Sequence, residues 1–196
     1  MLLLSIAALQ TLYIFVTNDH SNSMTALYFK GGLRFIIAKH GIAGLLVLGC
    51  LIGPFLEEVA FRLPLTFNRN HVFIGIPVLI LMLAFFWGSW YALIGAVLLV
   101  GGILYFASKK VGQEHLDTLK QKHGLLLLHA MALLFALLHI GNFGEFEISR
   151  MGSYFFAIAS ILVGAYIFYY VRIRAGFLYG LALHAALNSF MLIRFI

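Results

Sequence analysis

"HVFIGIPVLILMLAFFWGSWYALIGAVLLVGGILYFAS", residues 71–108, contains no aspartate, glutamate, lysine or arginine. One helix over this stretch would run on the order of 55 Å, against a bilayer core of about 30 Å. The stretch is too long for a single crossing and too apolar for a loop in water. It breaks best at "WGSWY" (87–91), where Gly88 and Ser89 permit a turn and the aromatic rings suit a membrane interface. Two spans result, 72–88 and 91–108. The fold class follows: an all-α, polytopic transmembrane helical bundle.

The rest of the chain repeats the pattern. Of its 196 residues, 63% are hydrophobic and 10% charged, where a soluble domain has about 45–50% apolar and about 25% charged residues. Further apolar runs at roughly 1–17, 41–66, 124–141, 152–171 and 175–195 raise the expectation to about seven spans in one domain, 1–196. The first, "MLLLSIAALQTLYIFVT", lacks a basic n-region and an A-x-A-like cleavage site, so it reads as a retained helix. No internal repeat or low-complexity tract stands out.

The formal net charge of +6 is not gathered into one block, which argues against a nucleic-acid partner. The basic residues fall in connections, as the positive-inside rule describes. With seven spans, Arg69, Lys109, Lys110, Lys120, Lys122, Arg172 and Arg174 share one side, while Lys30, Arg34, Lys39, Arg150 and Arg194 share the other. The larger set places the N-terminus and the polar connection 109–123 in the cytoplasm. Cys50, the sole cysteine, sits in an apolar run and reads as a small buried hydrophobe.

Against this background "GPFLEEVAFRLPL" (53–65) is out of place, because it brings Glu57, Glu58 and Arg62 into a span. An ionised side chain at the bilayer centre costs about 2.5–3.5 kcal/mol on insertion scales, so such charges pair, face a wet cavity or do chemistry. On a helix Glu58 and Arg62 share a face and can form an i,i+4 ion pair. That pair could equally be a self-neutralising patch that ties helices together. Glu57 lies about 100° round the helix, off that face, and is the better candidate for a general base.

Two more polar sites interrupt apolar helices. In "LLFALLHIGNF" (133–143), His139 stands one turn after Phe135. In "LYGLALHAALNSF" (178–190), His184 and Asn188 project from one face of the last span. Each alone could be interhelical glue. Together with Glu57 they supply a base, two imidazoles and an amide donor, the groups needed to activate water and stabilise an oxyanion. No serine or cysteine nucleophile has an evident base, so the hydroxyl or thiol route is the poorer reading.

"EEVAFR", "FALLH" and "HAALN" resemble the EExxxR, FxxxH and HxxxN motifs of the CPBP intramembrane proteases, which include the type II CAAX prenyl endopeptidases and bacterial relatives tied to bacteriocin processing and immunity. The three stand in the family's order within 57–188, and the motif-bearing part runs over 41–195. The resemblance implies an intramembrane endopeptidase in which Glu57 activates water with His139, while Glu58 and Arg62 support the site. His184 and Asn188 would form the oxyanion-stabilising pair, and Asn142 matches a polar residue common in relatives. The substrate implied is a peptide or protein at the membrane, possibly of the prenylated CAAX type, and the expected location is a bacterial cytoplasmic membrane.

The chain departs from the family pattern in two places. Leu63 stands where glycine often follows the first motif, and the gap from Glu57 to His139 is longer than usual, as if the hairpin 72–108 were inserted. Two extra crossings preserve parity, so the helices bearing 57 and 139 would stay antiparallel.

Three alternatives follow from the same residues. Glu57, His139 and His184 could form a His₂Glu zinc set, although no HExxH places two histidines on one helix face, and a metal-free site is the expectation. A membrane immunity or binding protein could keep the fold without turnover. A transporter could use the glutamate and histidines as a proton relay.

Overall fold

The computed structural model describes residues 32–86, 90–143, 148 and 151–193. Among these residues every regular element is helical. The helices are α1 (Gly32–Leu46), α2 (Gly53–Glu57), α3 (Arg69–Phe86), α4 (Trp90–Lys110), α5 (Gln113–Leu138), α6 (Met151–Ala175) and α7 (Phe177–Ile193). Two π-helical turns, Val47–Ile52 and Glu58–Arg62, interrupt the segment that leads from α1 through α2.

Helix covers each stretch expected as a span from residue 41 onward, but among the described residues three segments, not the expected number, are of membrane length. Three helical segments, Ile36–Thr66, Gln113–Gly141 and Met151–Ala175, are long and apolar enough to cross a membrane. Arg69–Phe85, Tyr91–Ala107 and Phe177–Leu192 are shorter apolar helices. The expected span at 1–17 and the break at 87–89 lie outside the described residues; on either side of the latter, α3 ends at Phe86 and α4 starts at Trp90, and the two helices pack on each other. Leu98, Leu99, Phe106, Leu125, Leu126 and Phe155 are exposed, the pattern of a surface covered by lipid rather than water.

Two local features differ from the expectation. The span expected to open at residue 41 begins at Gly32 and breaks at Gly41, whose φ of 67° is open to glycine at little cost. The polar stretch 109–123 is mostly helix, not loop. Lys109 and Lys110 complete the last turn of α4, where cations suit the helix dipole, and α5 starts at Gln113. Its residues are good helix formers, and Gln113 bonds to Asp117 one turn on (2.9 Å).

The chain divides into two compact units, one of residues 1–54 with 132–196 and one of 55–131. In the first, α6 buries Ser153, Ala157, Ser160, Gly164 and Ala165 along one face, the small-residue stripe that permits close helix approach. Gly176, at φ 100°, turns the chain from α6 into α7. Phe168 and His184 flank Gly176 at equal sequence distance and stack, so the two helices run antiparallel. Leu45, Cys50 and Leu192 form a buried cluster with Ile36 and Ile37, which makes Cys50 the core residue its surroundings imply.

In the second unit, α3 packs on the Glu58–Arg62 turn and on the 3₁₀ turn Pro64–Thr66. Gly75 makes this possible, because a Cβ there would meet Pro64 at 2.5 Å and the Val59 carbonyl at 2.7 Å. Asn68 Oδ1 caps α3 by accepting from Asn70 N (3.0 Å). Gln113 fastens the turn before α3. It donates to the Phe67 carbonyl (2.9 Å) and accepts from Arg69 N (3.0 Å).

Candidate functional site

The segment 47–66 leaves α-geometry twice. In the second π turn Leu63 N donates to the Glu58 carbonyl at 3.0 Å, closing a ring one residue wider than an α-turn. Single π turns inside α-helices recur at functional sites. Within this turn Arg62 Nη1 lies 2.9 Å from Glu58 Oε1, and both side chains are essentially buried. The i,i+4 pair read from the spacing is therefore formed. Glu57 is the last residue of α2, half-buried, immediately before the widened turn.

His139 does not lie within α5 but follows its end, opening the 3₁₀ stretch His139–Phe143. Its Nδ1 is 2.7 Å from the Phe135 carbonyl, one of the carbonyls that a helix end leaves without a backbone donor. A carbonyl only accepts, so Nδ1 is the donor in this contact, and whenever the ring is neutral its lone pair lies on Nε2. That tautomer is required of a general base acting through Nε2. Asn142 falls in the same 3₁₀ stretch, and its side chain lies outside the described residues.

His184 is buried in α7. Its ring stacks on Phe168 at 4.3 Å with an interplanar angle of 18°, and meets the edge of Phe135 at 6.2 Å and 73°. Phe135 also lies 4.5 Å from the His139 ring. The structure thus brings His139 and His184 against one shared phenylalanine. Phe135 was visible as the first letter of the FxxxH pattern. Phe168 was not, because nothing in a run of apolar residues marks the one that faces a histidine.

Asn188 Nδ2 donates to the Gly49 carbonyl at 2.9 Å, which fixes the orientation of the amide. One Nδ2 hydrogen is used in this bond, and the group carries a second. Gly49 allows the approach: a Cβ there would come within 2.9 Å of Leu192 Cδ1. Sequence reading placed His184 and Asn188 on one face correctly but had no means of naming Gly49.

Among the described residues no group of three or more His, Cys, Asp or Glu side chains is placed to hold a metal ion. No model of a known protein family matches the chain, and no curated protein and no solved structure does either.

Proposed function

We propose that this chain is an intramembrane endopeptidase of the CPBP type, acting in a bacterial cytoplasmic membrane on a membrane-associated peptide or protein, with a prenylated CAAX-type terminus as one candidate substrate. The observation that carries this reading is the His139 tautomer. A histidine at the end of a membrane-length helix sets its Nδ1 against the Phe135 carbonyl at 2.7 Å, which in the neutral ring makes Nε2 the basic nitrogen.

In the proposed reaction Glu57 takes a proton from water with His139 Nε2 orienting that water, and the hydroxide oxygen bonds to the scissile carbonyl carbon. The resulting oxyanion accepts hydrogen bonds from His184 and from the second Nδ2 hydrogen of Asn188. The C–N bond then breaks, and the leaving amine takes the proton held by Glu57. Glu58, neutralised by Arg62, supports the turn without entering the reaction.

Purified protein presented with a quenched, membrane-anchored peptide library tests the proposal. Glu57→Gln is expected to lower cleavage about 10²–10⁴-fold, and equal cleavage by both proteins removes Glu57 as the base. One zinc per chain whose chelation abolishes cleavage would replace the metal-free mechanism. One observation favours a second reading, a non-catalytic membrane immunity or binding protein: Asn188 is already engaged as interhelical glue. Absence of cleavage with any peptide supports that reading, and proton flux into liposomes without cleavage supports a relay.

A further inference from the structure

The bond between Asn188 and Gly49 has a cause in the backbone. In the first π turn Gly53 N donates to the Leu48 carbonyl, five residues back. By the same register the next donor, at residue 54, would serve Gly49. Residue 54 is proline, which has no N–H. Gly53 is committed to Leu48 and Pro54 cannot donate, so the Gly49 carbonyl lacks the helical donor that its position calls for. Gly49 is half-buried beside buried Cys50, and the exposed side chains of this stretch, Val47, Leu48, Leu51 and Ile52, are all apolar and suit lipid, so water is a poor substitute there. A carbonyl left without a donor in an apolar medium is costly. Asn188 Nδ2, arriving from α7 across 139 residues of sequence, supplies the donor.

We propose that Asn188 is a positioning residue as well as an oxyanion donor: it replaces the backbone hydrogen bond that Pro54 withholds from Gly49 and so fixes the π turn Val47–Ile52. That turn continues directly into α2, which ends on Glu57. Pro54, Gly49 and Asn188 form one unit in which the proline creates an acceptor and the asparagine fills it. The close approach of Leu192 to Gly49 is the packing side of the same arrangement. The catalytic part of the inference rests on the hydrolase reading; the structural part does not.

A double-mutant cycle on the full-length protein in detergent tests it. Asn188→Ala in the Pro54 protein is expected to lower the Tm by roughly 3–10 °C, the size of a half-buried hydrogen bond lost in an apolar medium from a chain of this length. In Pro54→Ala, residue 54 regains an N–H, Gly49 has a donor within its own helix, and Asn188→Ala is expected to cost no more than about a third of that shift. Losses that simply add across the two backgrounds overturn the proposal. If Pro54→Ala does not fold, Asn188→Asp decides. It keeps the shape but replaces the amide donor with a carboxylate, so it must be at least as damaging as alanine, and stability equal to the unmodified protein overturns the proposal.

The cleavage assay supplies the second arm. The loss caused by Asn188→Ala is expected to shrink at least tenfold in the Pro54→Ala background, because only the positioning part is rescued. A loss equally deep in both backgrounds overturns the positioning role. If the unmodified protein cleaves nothing, the hydrolase reading fails and the thermal cycle alone decides this inference.

Discussion

Two π turns stand close together in one continuous segment, and they settle their polar groups in opposite ways. Glu58–Arg62 closes on itself: the charge on Glu58 is met by Arg62 at 2.9 Å within the same turn. Val47–Ile52 leaves a carbonyl to be met from outside, by an asparagine 139 positions away. The first arrangement depends on spacing alone. The second depends on where α7 lies, and so on the packing of the whole unit. Local pairs survive small shifts of neighbouring helices, whereas a long-range bond reports them.

The sharpest way to break this comparison is to remove one half of the local pair. Arg62→Leu leaves Glu58 as a buried charge without its cation and is expected to cost about 3–5 kcal/mol, read as a fall in Tm or a failure to accumulate folded protein. Replacing both residues at once, Glu58→Leu with Arg62→Met, is expected to recover most of that loss, because two apolar side chains leave no uncompensated charge. A double variant as unstable as the single one would mean that the pair supplies more than mutual neutralisation.

A middle-sized effect is expected at Gly75. Alanine there drives a methyl against Pro64 and the Val59 carbonyl, and backbone yields less readily than a side-chain tip. A loss of about 1–3 kcal/mol is expected from thermal unfolding in detergent. No loss would show that α3 shifts freely on the Glu58–Arg62 turn.

The smallest effect sharpens the comparison from the other side. Gly49→Ala meets only the Leu192 Cδ1 tip, which can rotate away, and alanine favours helix over glycine by about 1 kcal/mol. The two terms nearly cancel, so the Tm is expected to change by no more than a few degrees. A large fall would show that Leu192 has no room to move and that the α7 approach is rigid.

The sequence by itself determined the helical class, the presence of helix over each apolar run from residue 41 onward and the Glu58–Arg62 pair. These follow from apolar run length and from i,i+4 spacing, which are properties of neighbours along the chain. It also put His184 and Asn188 on one helix face, because a helix fixes that relation without help from the rest of the fold. Packing was required for the remainder. Gln113 turned an expected loop into the first turns of α5 by bonding to Phe67 and Arg69, residues far from it in sequence. Phe168 became the platform for His184 only because Gly176 reverses the chain between them. The partner of Asn188 was out of reach of pattern reading for a different reason. Its clue is a proline five residues after a glycine, and that spacing matters only once the backbone has widened to a π turn. Whether a turn widens is decided by what packs against it.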